Sequence, residues 1–154
     1  MASPLERSKA LLEEQGYHVW KVERPASMYQ PTLDLFNFGD LLAIRDDVRG
    51  SVAIQCCGED VSPHVHKILE GFTKDKIEHN KETGEKKVIE EKVPPNPYVK
   101  TWLNAGNLLF IWGWRLRGEK GKRKTYQLRQ IEFVIQNGVV VANEIPDTSE
   151  LENK

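Results

Sequence analysis

Two short apolar runs decide the fold: Phe38-Gly39-Asp40-Leu41-Leu42-Ala43-Ile44-Arg45 and, a few residues later, Ser51-Val52-Ala53-Ile54-Gln55-Cys56-Cys57. Each run is too short for a typical helix and is apolar at nearly every position, which is typical of a strand buried on both faces. Between them, Asp46-Asp47 and Arg49-Gly50 favour a turn. We therefore expect two adjacent strands in the interior of a sheet.

Further elements are predicted on both sides of this pair. Residues 4–15 form a helix, because Ser3-Pro4 suits a helix start and Gly16 suits a helix end. The other predicted elements are a strand at 18–22, helices at 61–70 and 98–105, strands at 107–114 and 125–135, and a short edge strand at 139–141. This order predicts an α/β fold with a mixed central sheet flanked by helices, as one domain over 1–145 with a polar tail at 146–154.

Residues 72–93 differ in composition from the rest of the chain. They contain six lysines and six acidic residues, with Gly84 near the middle. We interpret this segment as an insertion, either a charged hairpin turning at Glu82-Thr83-Gly84 or a flexible flap. A mixed-charge run usually only keeps a surface hydrated.

Composition limits the class of protein. The net charge of −1 gives no global attraction to nucleic acid, so any DNA contact must come from local patches. No apolar run reaches the ~20 residues that span a bilayer, and the first residues do not resemble a signal peptide. Two adjacent cysteines, Cys56 and Cys57, do not make a disulfide framework. A cytoplasmic protein is expected.

Asp40 and Gln55 suggest where chemistry could occur. Asp40 opens one buried strand and Gln55 lies late in the next, so pairing of these strands would bring both side chains to one end of the sheet. Carboxylate and amide oxygens are ligands that Mg²⁺ accepts, and the metal could activate water and neutralise a phosphate. The alternative is that Asp40 is a turn or cap residue.

Several segments, taken together and in this order, match a known pattern: Glu6-Arg7-Ser8-Lys9-Ala10-Leu11-Leu12, Gly16-Tyr17-His18-Val19, the 34–44 and 52–57 stretches, Lys67-Ile68, Trp102-Leu103-Asn104-Ala105-Gly106 and Gly113-Trp114. They resemble the PD-(D/E)XK, or restriction-endonuclease-like, nucleases, and in particular small phage-type and archaeal-type Holliday-junction-resolvase-like members. The resemblance covers about residues 4–71 and 94–135, and the charged insertion lies outside it.

The resemblance implies a role for four residues. Glu6 takes a supporting acidic position on the first helix, Asp40 the central metal-ligand position, and Gln55 the position usually held by an acidic residue. Cys57 takes the position of the usual lysine, and it offers no cation near neutral pH. Both Gln55 and Cys57 therefore depart from the strict pattern.

Further site residues are predicted near this motif. Asp34 is a candidate metal ligand, or it fixes its loop through backbone amides. Lys67 is a candidate substitute for the missing lysine, or an ordinary helix lysine. His64 and His66 are candidate proton carriers or DNA contacts, or simply surface histidines.

A basic turn supplies candidate DNA contacts. Four cations follow Arg115 and Arg117 within five residues: Lys120, Lys122, Arg123 and Lys124. Such a cluster suits phosphate contacts, or it only makes the turn soluble.

These observations predict a Mg²⁺- or Mn²⁺-dependent endonuclease that hydrolyses DNA, with branched or structured DNA as the candidate substrate. It would act as a homodimer in the cytoplasm, or in the host cytoplasm if a phage encodes it. One alternative is a non-catalytic nuclease-fold protein that binds DNA or serves in assembly. Another, which the neutral charge balance favours, is a cytoplasmic interaction module with no role in nucleic-acid binding.

Overall fold

The computed structural model describes residues 2–22, 35–118 and 120–146. Three helices and eight strands lie in these ranges. Their order and bounds are α1 (Pro4–Glu14), β1 (His18–Lys21), β2 (Leu41–Ile44), β3 (Val52–Cys57), α2 (Ser62–Leu69), β4 (Phe72–His79), β5 (Lys86–Val93), α3 (Val99–Asn104), β6 (Leu108–Arg117), β7 (Thr125–Gln136) and β8 (Val139–Ile145).

Six of the strands form one mixed sheet in the order β1-β2-β3-β6-β7-β8. Strands β3 and β6 pair in parallel, because the chain between them crosses back over the sheet through α2 and α3. The other neighbours pair antiparallel. This arrangement confirms the predicted α/β class with a mixed central sheet and flanking helices.

Each face of the sheet has its own core, because successive side chains of a strand point to opposite faces. The face covered by α2 and α3 buries Phe38, Leu109, Ile111 and Phe133. The face covered by α1 buries Leu12, Leu41, Ala43, Ile54 and Trp112. Strand β3 contributes to both cores, as its nearly continuous apolar sequence predicts.

The amino-terminal half of α1 is tied to one end of the sheet. The Ser8 side chain is fully buried; its Oγ donates to the Pro4 carbonyl oxygen at 2.8 Å and accepts from Trp114 Nε1 at 2.9 Å. The Arg7 guanidinium lies 3.5 Å from the centroid of the Tyr126 ring. Both contacts place the start of α1 where β6 ends and β7 begins.

The start of α2 reaches the same end of the sheet because β6 carries a glycine there. A Cβ at Gly113 would lie 2.5 Å from Val61 Cγ1 and 2.9 Å from the Gly58 carbonyl oxygen. Any larger residue would push the 58–61 connection away from the strand.

The insertion is a hairpin rather than a flap. Strands β4 and β5 pair antiparallel along their whole length and form a separate two-stranded sheet, which we call the charged ribbon. Three predicted bounds were wrong by three or more residues. The strand predicted from Phe38 begins only at Leu41, after a turn. The strand predicted at 107–114 continues to Arg117, and the edge strand predicted at 139–141 continues to Ile145. No helix in the described ranges is long and apolar enough to cross a bilayer.

Ser8→Ala should destabilise the protein by about 1–3 kcal/mol, because the half-buried Trp114 indole N–H loses its acceptor. Thermal unfolding followed by circular dichroism measures the change. Ser62→Ala, at an exposed position of α2, is the matched control and should leave the Tm unchanged. Equal Tm values for both variants would show that the Ser8 hydrogen bond does not hold α1 in place.

Candidate functional site

Asp40 lies beside Gln55, just before the first residue of β2. The β2–β3 ladder ends where Leu41 pairs with Ile54, and the Asp40 N–H donates to the Ile54 carbonyl oxygen at 2.9 Å. The Asp40 residue is only 6% exposed, which is unusual for an aspartate. The predicted juxtaposition of these two residues is confirmed.

Two donors converge on one oxygen of this buried carboxylate. Asp40 Oδ2 accepts from Gln55 Nε2 at 2.9 Å and from the Cys56 backbone N–H at 2.8 Å. Gln55 therefore orients the carboxylate by hydrogen bonding, with its amide nitrogen turned toward Asp40. The amide oxygen would have to rotate toward the carboxylate before both residues could bind one cation, so the role of Gln55 as a metal ligand stays a prediction.

Cys57 follows two residues later on the same face of β3. It is 8% exposed and pairs with Gly113 of β6. The pKa of the thiol is raised to about 11, mainly because burial disfavours the thiolate. The negative charges of Asp40 and Asp60 also raise the pKa, and the positive charge of Arg129 lowers it. Cys57 is thus a neutral thiol at neutral pH, neither a cation nor a thiolate nucleophile.

Glu6 lies at the start of α1 and closes a capping box. Its Oε2 accepts from the Ser3 N–H at 3.3 Å, while the Glu6 N–H donates to Ser3 Oγ. This hydrogen bonding explains Glu6 as a helix-capping residue, and its supporting catalytic role stays a prediction. Asp34, the other predicted acidic ligand, lies outside the described residues.

Three predicted residues lie on α2. Lys67 Nζ is 5.5 Å from the centroid of the Phe72 ring and lines a cavity of about 320 Å³ at the base of the charged ribbon. His66 is exposed and pairs with Glu70, and His64 is half-buried. The contact of Lys67 is with Phe72, so the structure offers no support for its role as the substitute lysine, which stays a prediction.

The basic turn lies at the same end of the sheet as Asp40. Because β3 and β6 are parallel, their carboxyl ends coincide, and the turn joins the end of β6 to the start of β7. Its four cations are exposed: Lys120, Lys122, Arg123 and Lys124.

Arginines on two strands extend this basic surface toward Cys57. Arg115 and Arg117 continue the face of β6 that carries Gly113, and Arg129 lies opposite Gly113 on β7. Arg117 pairs with Glu59 at 2.9 Å and Arg129 with Glu144 at 2.7 Å. The Arg115 Nε is buried and has no hydrogen-bond partner among the residues described.

Sequence reasoning missed Arg129 and Asp60. Arg129 alternates with Ile131 and Phe133, whose side chains are buried in the core on the α2 side, and this period-two pattern could have placed it on that face. Asp60 accepts from the Ser62 N–H at 3.2 Å, before the first turn of α2. Asp60 lies near Cys57 because the chain turns over β6 after the end of β3. No local pattern in the sequence predicts that turn.

The donor set for a divalent cation is small. No group of three or more His, Cys, Asp or Glu side chains suited to a metal occurs within 2–22, 35–118 and 120–146. Mg²⁺ is often held by one or two protein carboxylates, with waters and substrate phosphates as the other ligands. Asp40 fits that minimal arrangement as one buried carboxylate at the end of the sheet.

Comparison with known proteins gives no independent guide. No protein-family model, no curated protein and no solved structure matches the chain. The functional argument therefore depends on the geometry of the residues themselves.

Cys57 should resist thiol reagents in the folded protein, because it is buried and its pKa is raised to about 11. In a Cys56→Ala variant, Cys57 is the remaining thiol. In the folded protein at pH 8, 5,5′-dithiobis(2-nitrobenzoic acid) should label only a fraction of Cys57 in the time that it needs to label Cys57 completely in denaturant. The reciprocal Cys57→Ala variant reports Cys56 under the same conditions. Rapid labelling of folded Cys56→Ala would show that Cys57 is accessible and ionised.

Proposed function

We propose that this chain is a restriction-endonuclease-like protein that hydrolyses DNA phosphodiester bonds with Mg²⁺ or Mn²⁺, with branched or structured DNA as the candidate substrate. The observation that carries the proposal is the buried Asp40 carboxylate, which the Gln55 amide binds at the end of the sheet where the basic residues gather. The element order α-β-β-β-α-α-β around a mixed sheet, with the charged ribbon inserted between the last two helices, supports the same interpretation.

Asp40 would hold the cation in this proposal. A bound divalent cation activates water and neutralises charge on the scissile phosphate. The hydrogen bonds from Gln55 and the Cys56 N–H fix the carboxylate in one orientation, so its geometry is set before substrate binds. With one protein carboxylate, cation affinity depends on phosphate oxygens from DNA, and metal and DNA should bind cooperatively.

The arginines would position DNA beside Asp40. Guanidinium groups bind phosphate through paired hydrogen bonds, and Arg115 lies two residues beyond Gly113 on the same face of β6. Past the end of β6, the exposed Lys120, Lys122, Arg123 and Lys124 add to the positive surface. This local surface supplies the attraction to DNA that the net charge of −1 does not.

A non-catalytic DNA-binding or assembly protein is the second candidate. The neutral, buried Cys57 favours it, because the motif position that usually supplies a cation supplies none. The same basic surface would then bind DNA without cleavage.

Asp40→Asn should lower metal-dependent cleavage by at least about 10²-fold. The substitution keeps an acceptor for the Cys56 N–H and removes only the charge, whereas Asp40→Ala would leave that N–H without this acceptor. The assay measures nicking of four-way-junction, duplex and single-stranded DNA with Mg²⁺, Mn²⁺ or EDTA. A second readout is DNA affinity, which Mg²⁺ should strengthen for the unaltered protein and not for Asp40→Asn.

Asp46→Asn is the matched control, since it removes the same charge at the opposite end of β2, where Asp46 is exposed. It should cut at the normal rate. Asp40→Asn cutting equally fast would refute the assignment of this site. Salt-sensitive DNA binding by the unaltered protein without cleavage of any substrate would establish the second candidate instead.

Arg123→Gln should weaken DNA binding similarly for all sequences and reduce the slope of log K against log salt concentration by about 0.9. Arg49→Gln, in the turn between β2 and β3 at the opposite end of the sheet, is the control and should leave the slope unchanged. Fluorescence anisotropy with labelled DNA at several salt concentrations measures both. An identical slope for Arg123→Gln would exclude the basic turn from the DNA contact surface.

A further inference from the structure

The charged ribbon has two faces of different character. Strands β4 and β5 are antiparallel in a continuous register, so residues directly opposite each other share a face. One set of pairs, which we call the inner face, contains Phe72/Val93, Lys74/Glu91, Lys76/Ile89 and Glu78/Lys87. The other set, the outer face, contains Thr73/Lys92, Asp75/Glu90, Ile77/Val88 and His79/Lys86.

The inner face places opposite charges across from each other. Lys74 lies opposite Glu91, with Nζ and Oε2 4.0 Å apart, and Glu78 lies opposite Lys87, while Lys76 faces Ile89. Opposite charges in directly facing positions stabilise an antiparallel pair. On this face, the two pairs in which both residues are charged therefore compensate each other within the ribbon.

The outer face places residues of the same charge type opposite each other. Asp75 lies opposite Glu90, which places two acidic side chains together, and one step beyond Ile77 the basic residues His79 and Lys86 lie together. Like charges that face each other destabilise a strand pair. Between the two clusters, Ile77 and Val88 face each other and are 57% and 65% exposed. Beyond the Thr73/Lys92 pair at the base, the outer face thus presents an acidic pair, an apolar pair and a basic pair in order toward the tip.

We propose that the outer face of the charged ribbon is a self-association surface that binds the same face of a second copy of this chain, with the two ribbons antiparallel. A two-fold axis through the Ile77/Val88 pair places Asp75 over His79 of the other copy and Glu90 over Lys86 of the other copy. Each acidic pair then meets a basic pair, and the two apolar pairs meet at the centre. Parallel stacking would instead place acidic on acidic and basic on basic, so the charges select the antiparallel arrangement.

The size of the face sets the strength of this dimer. Eight residues per strand span about 26 Å, at ~3.3 Å per residue. One face of a two-stranded ribbon is therefore well below the ~800 Å² per partner of a standard stable interface. The dimer is weak, concentration-dependent and salt-sensitive, since exposed charges are screened within about 8 Å at physiological ionic strength.

Charge exchange between two variants tests the arrangement. Asp75→Lys with Glu90→Lys makes both charged pairs of the outer face basic, and His79→Glu with Lys86→Glu makes both acidic. Both keep like charges facing within the ribbon, so ribbon stability changes little. In sedimentation velocity over a wide concentration range, the unaltered chain should self-associate, each double variant should stay monomeric, and an equimolar mixture of the two should associate again.

The control exchanges charges on the inner face, through Glu78→Lys with Lys87→Glu, and should self-associate like the unaltered chain. Circular dichroism checks that every variant is folded. The proposal is overturned if the unaltered chain stays monomeric at all concentrations, if either double variant associates normally, or if the mixture does not associate. Because none of these measurements involves DNA or metal, they are independent of the proposed nuclease function.

Discussion

The hydrogen bond from the Cys56 N–H to Asp40 Oδ2 is the interaction on which the candidate site depends. A carboxylate that is 6% exposed is costly to bury unless donors satisfy it, and here a backbone donor and the Gln55 amide do so on one oxygen. The same two bonds continue the contact between β2 and β3 beyond Leu41. Asp40 is thus part of the sheet and a candidate ligand at once, and a change that removes its oxygen affects both.

The parallel pairing of β3 with β6 explains why so many polar groups meet at one end of the sheet. The carboxyl ends of the two strands lie at the same edge of the sheet. The 58–61 connection and α2 come directly after β3 at that edge, and the basic turn comes directly after β6. Gly113 allows the connection to lie directly on β6, and the Ser8–Trp114 bond brings the start of α1 to the same place. An antiparallel β3–β6 pair would have placed the basic turn at the opposite end from Asp40.

The sequence predicted those parts of the structure that depend on local patterns. Strands around 41–44 and 52–57 were predictable because two short apolar runs flank a turn, and their antiparallel pairing brought Asp40 beside Gln55. The direction of the Gln55 amide, the contact of Lys67 with Phe72 and the neighbourhood of Cys57, Asp60 and Arg129 were not predictable. They depend on register and packing between residues far apart in the chain, and residue type carries little information about them. The hairpin in the insertion was one of two alternatives, and cross-strand pairing of opposite charges on its inner face favours it over a flap.

The charged ribbon can be inserted without disturbing the sheet because its two ends are adjacent. Phe72 pairs with Val93, so the chain leaves and re-enters the fold at nearly the same point. Gly71 permits this closure: its φ is +82°, and a Cβ there would lie 2.1 Å from the Val93 carbonyl oxygen. A ribbon held only at its base contributes little to the core and is marginal by itself in water. Uncompensated like charges on its outer face add to that cost, which an oppositely charged surface would relieve. The sheet end and the ribbon are therefore separate surfaces, one built around a buried carboxylate and the other around exposed charge pairs.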